Sequence, residues 1–127
     1  MTQPHFISPK LCIRDTNRGL GVFLKPCTAA VCGEILEISP FSSCYARPWK
    51  EVSEDLRKIV YSYPTGHDNY VIGLGYTSLY NHSDNNNAVW TSQNNSIIIQ
   101  TISEIHGNEE VFIHYGDAYW SGGWTKY

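Results

Sequence analysis

The sequence contains two short motifs whose residue types could bind or orient a ligand. One is Asn81-His82-Ser83, and the other is Tyr115-Gly116, which ends an apolar run about thirty residues further on. A Tyr hydroxyl at such a position can orient a polar group and stabilise positive charge through its oxygen, although most strand tyrosines are core residues with a satisfied hydroxyl. An Asn in a polar turn can hold a ligand, or it can make only a local Asx hydrogen bond.

Other groups capable of chemistry form weaker patterns. Glu109-Glu110 could be a general acid–base pair, but a turn and a buried structural contact fit its position better. The 4 cysteines include no Cys-x-x-Cys pair and have no His at ligand spacing, so we expect reduced thiols and predict no metal site. Four further histidines form no i, i+4 or carboxylate-paired set and receive no role: His5, His67, His106 and His114.

Four segments in this order frame the motifs: Arg18-Gly19-Leu20-Gly21-Val22-Phe23, then Gly33-Glu34-Ile35-Leu36-Glu37, then the run from Ile72 to Ala88 around Asn81, and finally Glu109 to Gly116. Each segment alone is common by chance, but their order and spacing together resemble the SET-domain protein-lysine methyltransferases. The matches run from about Arg18 to Trp120. The short length, without flanking zinc clusters, is most similar to the compact viral and bacterial members.

The resemblance implies a mainly β SET fold of several small curled sheets with one short helix. It also implies a C-terminal segment that threads through an earlier loop, an exception to the general rule against threading. We therefore expect residues 1–127 to form a single SET domain. The implied activity is methyl transfer from S-adenosylmethionine to a lysine side chain of a protein substrate, for which a histone tail is one candidate.

The resemblance also assigns roles to residues. Tyr115 would be catalytic, with its hydroxyl at the methyl-transfer point beside the cofactor. Asn81 and His82 would fix the methionine amino group and the adenine of the cofactor. The predicted cofactor-binding residues are Gly19, Leu20, Gly21, Asn81, His82, Tyr115 and Trp120.

Further active-site positions follow from spacing within the resemblance. Tyr61 lies where short family members place a second active-site tyrosine, and Tyr63 is its rival. Tyr80 and Ile113 would line the substrate channel for lysine. Trp120 belongs to an aromatic cluster after Tyr115 that could cover the cofactor, or else dock on the core or on a second copy of the chain as a homodimer.

The sequence departs from the family pattern at two turns and in one larger feature. Asn108 stands where Gly usually precedes Glu109-Glu110, but Asn tolerates positive φ, so we expect the turn to survive. Asn86 stands where a Pro is common, which would loosen the loop. The zinc-binding cysteines that cover the channel in many chromatin-modifying members are absent after Tyr115.

Composition restricts the partners. A chain of 127 residues can bury a core large enough to fold without metals or disulfides. A net charge of -3 argues against direct nucleic-acid or membrane binding but suits a Lys-rich substrate. The N-terminus lacks the pattern of a secretion signal, so the N-glycosylation pattern at Asn81-His82-Ser83 and at Asn94-Asn95-Ser96 is expected to have no meaning. We expect a soluble, intracellular protein, in the cytoplasm or, if it acts on chromatin, in the nucleus or a host nucleus.

Apolar alternation predicts strands at Leu11 to Ile13, Gly21 to Leu24, Glu34 to Ile38, Val71 to Leu74, Ala88 to Thr91, Ile97 to Ile102 and Val111 to His114. A period of 3.6 predicts one helix at roughly Glu51 to Val60.

Two other functions are compatible with the same mainly β sequence. A catalytically silent SET-like module would bind a peptide at a sheet edge, and a small β-barrel or sandwich would bind another ligand.

Overall fold

The computed structural model describes residues 5–48, 62–64, 69–93 and 95–114, with the backbone alone for residues 42–48, 62–64 and 69–72. These ranges contain twelve strands: β1 (Phe6–Ile7), β2 (Leu11–Thr16), β3 (Gly19–Leu24), β4 (Ala29–Ala30), β5 (Ile35–Pro48), β6 (Ser62–Pro64), β7 (Asn69–Gly73), β8 (Asn81–His82), β9 (Ala88–Gln93), β10 (Ser96–Thr101), β11 (Ile105–His106) and β12 (Phe112–Ile113). No helix of the described ranges is long and apolar enough to cross a membrane. The predicted helix at Glu51 to Val60 lies outside these ranges.

The largest sheet has the strand order β6-β7-β5-β10-β9, with β1 added against β5. The long strand β5 connects two halves of this sheet, since Ile38 pairs with Phe6 and Ile98 while Phe41 pairs with Gly73. β-branched residues dominate β10, which favours the pleated conformation. Ile97 and Ile99 of β10 are fully buried, so this strand supplies much of the core.

The described residues also form three two-stranded sheets: the antiparallel pairs β2–β3 and β4–β11, and the parallel pair β8–β12. The core includes buried residues from both kinds of sheet, among them Leu24 and Leu36, and also Val111 and Ile113. Since apolar burial stabilises by about 25 cal/mol per Å², this shared core fixes the small sheets on the large one.

The segment from Glu109 to Ile113 is held from two sides. Leu24 N–H donates to the Glu109 carbonyl at 3.1 Å, and Val111 N–H donates to the Val22 carbonyl at 2.8 Å. On the other side, β12 pairs in parallel with β8. The two pairings bring the segment that precedes residue 115 between the β3 strand and Asn81-His82.

All seven predicted strands occur, as β2, β3, β5, β7, β9, β10 and β12, with different ends. The strands β1, β4, β8 and β11 were not predicted, because two residues are too few to show a period, and three-residue β6 is scarcely longer. At Asn108 the backbone has φ of 69°, so the prediction that Asn preserves this turn is confirmed.

Candidate functional site

The hairpin of β2 and β3 carries the predicted glycine turn. Thr16 closes the turn by donating its hydroxyl to the Gly19 carbonyl at 2.8 Å. Gly19 has φ of 100°, a conformation that side chains disfavour, and open space where a Cβ would lie. Leu20 is 47% exposed. The hairpin therefore presents accessible backbone at Gly19 and Leu20.

Asn81 lies on β8, and only 6% of it is exposed. Its Nδ2 donates to the Leu20 carbonyl at 3.1 Å and to Glu110 Oε2 at 2.7 Å. Because both partners are acceptors, the amide can take only this orientation, and both amide hydrogens are used. Asn81 thus joins the glycine turn to the Glu109–Ile113 segment, and its Oδ1 is the atom that could accept a hydrogen bond from a ligand.

Gly21 allows this junction to close. A Cβ at this position would lie 2.6 Å from Glu110 Oε2 and 2.9 Å from Asn81 Nδ2. Both distances are shorter than a normal contact, so any side chain would push the Asn81–Glu110 pair apart. Gly21 is one of the predicted cofactor-binding residues. The structure gives it a second role, which is clearance for two polar side chains.

Asn87 fixes the other side of the same segment. Its Nδ2 donates to the Glu110 carbonyl at 2.9 Å, and its Oδ1 accepts from Phe112 N–H at 2.8 Å. A side chain that bonds one donor and one acceptor of the backbone acts as a short strand edge. Asn87 therefore positions Glu110, which is half-buried and makes the structural contact expected from the sequence.

His82 is buried beside Asn81. Its carbonyl accepts from Arg18 Nη1 at 2.8 Å, and the Arg18 guanidinium lies 5.8 Å from the centre of the Phe112 ring. The His82 Nε2 lies 3.0 Å from Asp84 Oδ1. Arg18 thus connects the glycine turn to the backbone of His82 and to β12.

The expectation that the remaining histidines form no carboxylate pair is wrong for two of them. His114 Nε2 lies 3.5 Å from Asp84 Oδ1, and His106 Nδ1 lies 3.7 Å from Glu104 Oε1. The sequence could not show the first pair, because its partners lie far apart in the chain and meet only through the parallel pairing of β8 with β12.

Tyr80 and Ile113, predicted to line the lysine channel, are both buried in the core. The Tyr80 hydroxyl donates to Glu37 Oε1 at 2.6 Å. Glu37 Oε2 accepts from the Ser39 hydroxyl at 2.6 Å and from Tyr76 N–H at 2.8 Å. Burial raises the pKa of Glu37, although these three hydrogen bonds oppose the rise. The channel role of Tyr80 and Ile113 stays a prediction.

Sequence reasoning missed the role of Glu37. A charged residue within the apolar run of β5 was the available signal, since a buried carboxylate requires hydrogen-bond partners. Those partners could not be identified, because Tyr80 is 43 residues away.

A cleft of about 380 Å³ borders Glu110. Its lining residues are Asn85, Asn86, Asn87, Ser103, Glu104, Glu109, Glu110 and Phe112. Three carboxylates among them give the cleft a negative potential, which favours a cationic ligand.

The predicted catalytic residues Tyr115 and Tyr61, as well as Trp120, lie outside the described ranges, and of Tyr63 only the backbone, in β6, is described. The structure does bring together the other predicted cofactor residues. Gly19, Leu20 and Gly21 meet Asn81 through the Leu20 carbonyl, and His82 follows Asn81 on β8.

Comparison with known proteins is consistent with this arrangement. The SET domain family model matches residues 8–116. A Schizosaccharomyces pombe protein named histone-lysine N-methyltransferase, H3 lysine-37 specific, is 38% identical over 118 residues, covering 85% of this chain and 74% of the relative.

Two solved structures have the same fold. A Plasmodium falciparum protein assigned as a histone methyltransferase has a TM-score of 0.68 and 31% identity, covering 90% of this chain and 99% of the other. The methyltransferase domain of human PR domain-containing protein 2 has a TM-score of 0.58, covering 89% of this chain and 91% of the other; at 14% identity it supports the fold alone. The predicted fold is confirmed, and the chain belongs to the SET-domain family of protein-lysine methyltransferases.

Proposed function

We propose that the protein transfers a methyl group from S-adenosylmethionine to a lysine of a histone. The observation that carries the proposal is the buried Asn81, which is bonded both to the Leu20 carbonyl and to Glu110. These bonds join the glycine turn, the Asn81-His82-Ser83 motif and the segment that leads to Tyr115. We infer that the cofactor and the lysine meet at this junction.

The described residues fit the cofactor. S-adenosylmethionine carries a cationic amino group and a carboxylate besides its sulfonium. Asn81 Oδ1 is an acceptor suited to the amino group, and the accessible backbone at Gly19 and Leu20 can approach a ligand closely because Gly19 has no side chain. The Glu110 carboxylate adds negative charge next to Asn81.

The bound cofactor supplies a methyl group activated on a sulfonium. The protein has to hold a neutral lysine amine in line with that methyl group, although free lysine has a pKa of about 10.4. An apolar channel lowers the lysine pKa by desolvation. We propose that Tyr115 orients the amine through its hydroxyl oxygen, so that its contribution is positioning and charge stabilisation.

A histone substrate is supported by two observations. The Schizosaccharomyces pombe relative is named for lysine 37 of histone H3. In this chain, the net charge is -3, and the cleft beside Glu110 is lined by three carboxylates. Negative potential attracts the Lys-rich and Arg-rich segments of histone tails.

The proposal is tested by calorimetric titration of the protein with S-adenosylmethionine. Histones incubated with the protein and S-adenosylmethionine are then analysed by mass spectrometry. Tyr115→Phe should lower turnover by about a hundredfold, equivalent to about 2.7 kcal/mol, with cofactor affinity close to wild type. Tyr76→Phe removes a hydroxyl elsewhere and should keep full activity. Full activity in Tyr115→Phe contradicts the catalytic assignment.

Asn81→Ala should weaken cofactor binding by about tenfold or more, because it removes a hydrogen bond to a charged group. The matched control is Asn85→Ala, since Asn85 is exposed in the following turn. An Asn81→Ala protein that melts at a lower temperature but binds the cofactor normally would show that Asn81 is only structural. Cofactor binding by the wild type without methylation of any histone would instead favour the silent peptide-binding module.

A further inference from the structure

His82, Asp84 and His114 meet where β8 pairs with β12. In this parallel pair, Ile113 lies opposite His82, so His114 follows directly beside the turn that contains Asp84. The turn is held by Ser83, whose N–H donates to the Ile113 carbonyl at 3.1 Å and whose hydroxyl accepts from Asn85 N–H at 3.0 Å. Two chain segments therefore bring the three side chains together.

Atoms of the three side chains that could bind a metal lie close together. Asp84 Oδ1 is 3.0 Å from His82 Nε2 and 3.5 Å from His114 Nε2. One nitrogen of each imidazole and one oxygen of the carboxylate lie within 4.8 Å of one another. The two imidazole rings are 4.6 Å apart between centroids and inclined at 70°, so they do not stack in parallel.

These distances are close to those of a tetrahedral zinc site. Ligand bonds of about 2.0–2.2 Å place neighbouring ligand atoms roughly 3.3–3.6 Å apart. The two distances to Asp84 are within a few tenths of an ångström of that range. The side chains of Asp84 and His114 are 64% and 36% exposed and have room to adjust around an ion, while that of His82, at 5%, supplies a fixed position.

The type of ligand atom selects the metal. Two imidazole nitrogens and one carboxylate oxygen suit zinc and similar transition metals, whereas calcium and magnesium prefer all-oxygen sites. The exposed side of Asp84 leaves room for water as a fourth ligand. We propose that His82, Asp84 and His114 bind one zinc-class ion, which links β8 to β12 next to residue 115.

This site contains no cysteine, so the spacing of the cysteines, from which we predict no metal site, gives no information about it. The competing interpretation is a hydrogen-bonded His–Asp–His cluster without a metal. Metal titration distinguishes the two interpretations, because a cluster held only by hydrogen bonds would bind no ion.

The test uses the untagged full chain, dialysed against a chelator and then titrated with Co²⁺ in a spectrophotometer and with Zn²⁺ in a calorimeter. We expect one ion per chain, with visible Co²⁺ bands and no thiolate charge-transfer band in the near ultraviolet, which excludes the cysteines. Zinc should also raise the melting temperature of the wild type. No enzymatic activity is read, so the result is independent of the proposed methyl transfer.

Asp84→Ala and His114→Ala should each weaken binding by about tenfold or more and abolish the rise in melting temperature. Both positions are partly exposed, so these variants should fold. The control is His106→Ala, whose exposed histidine pairs only loosely with Glu104. A wild type that binds neither ion at micromolar concentration, or a His106→Ala variant that loses as much affinity, would overturn the proposal.

Discussion

Two carboxylates bind the side chains of two consecutive residues in very different surroundings. Glu37 accepts from the Tyr80 hydroxyl in the buried core, whereas Glu110 accepts from the Asn81 amide at the edge of a cleft. Each carboxylate also lies against a glycine where a Cβ would collide with it: Gly75 beside Glu37 and Gly21 beside Glu110. The same arrangement, a carboxylate packed against a glycine, therefore occurs once in the core and once at the candidate cofactor site.

The difference lies in how completely each carboxylate is enclosed. Glu37 is buried and accepts from three donors, so its bonds fix β5 relative to the loop that precedes β8. Glu110 is half-buried, accepts from Asn81 and borders the cleft. We therefore expect changes at Glu37 to alter stability and changes at Glu110 to alter ligand binding.

The largest effect is expected for Glu37→Ala. The substitution leaves the Tyr80 and Ser39 hydroxyls and the Tyr76 N–H without their acceptor, and each buried unsatisfied group costs about 1–3 kcal/mol. We expect the free energy of unfolding to fall by about 3–5 kcal/mol, measured by urea denaturation. Glu37→Gln should lose much less stability. The Gln oxygen can accept from the Ser39 hydroxyl and the Tyr76 N–H, and its amide nitrogen can donate to the Tyr80 hydroxyl oxygen. Equal losses in both variants would contradict this expectation, because Gln keeps the volume of the side chain and can keep the hydrogen bonds.

Substitutions at the two neighbouring glycines, Gly75 and Gly21, should also have different effects on stability and on cofactor binding. At Gly75, a Cβ would overlap Glu37 and Ser39, and φ of 64° adds backbone strain, so we expect Gly75→Ala to cost about 2–4 kcal/mol. At Gly21, the obstructing atoms are the ends of two side chains, of which Glu110 can move outward. Gly21→Ala should cost about 1–2 kcal/mol and should also weaken cofactor binding, which Gly75→Ala should not.

The matched control for backbone strain is Gly33→Ala, because Gly33 has φ of 84° and open space at its Cβ position. Its cost should be about 1 kcal/mol, from strain alone. If Gly75→Ala is no more destabilising than Gly33→Ala, the collision with Glu37 has no energetic consequence. Thermal unfolding and cofactor titration of the three variants decide this.

Individual residues of the site could be predicted from the sequence, but the hydrogen bonds between them could not. Asn81 and Gly21 could be found from their motifs, and the turn at Asn108 from residue type alone. The bond from Asn81 to Glu110 could not be found, because it depends on how β3 and β12 pack around the two-residue strand β8. Long strands can be predicted from the periodicity of their apolar residues. A strand of two residues is too short for that and is defined only by its pairing with another strand. The same reason hid the Glu37–Tyr80 bond and the contact between Asp84 and His114.

A smaller effect is expected for Glu110→Gln. Gln keeps an oxygen for Asn81, but the bond loses its charge assistance, which roughly halves its strength. We expect stability to change by less than about 1 kcal/mol and affinity for S-adenosylmethionine to fall several-fold, as measured by calorimetry. In Glu37→Gln, by contrast, cofactor affinity should stay at the wild-type value. Loss of affinity in both variants would show that the two carboxylates do not act separately.

The smallest effect is a pH dependence of stability at Glu37. Because burial raises the pKa of Glu37 in the folded state, the unfolded chain ionises first as the pH rises above about 4.3, and the folded state then holds the extra proton. The contribution of Glu37 to stability is therefore fully present below that pH. It is lost as the pH rises through the raised pKa of the folded state.

Glu37→Gln cannot titrate at this position, so the stability of the wild type relative to this variant should decline as the pH rises above about 4. Glu34 titrates in the opposite sense, because the hydrogen bond from Lys10 lowers its pKa, but it is the same in both proteins and cancels in the difference. Urea unfolding of both proteins at each pH gives this difference directly. A difference that stays constant or grows with pH would show that the three hydrogen bonds to Glu37 outweigh its burial, and the core carboxylate would then be a stabilising anion at neutral pH.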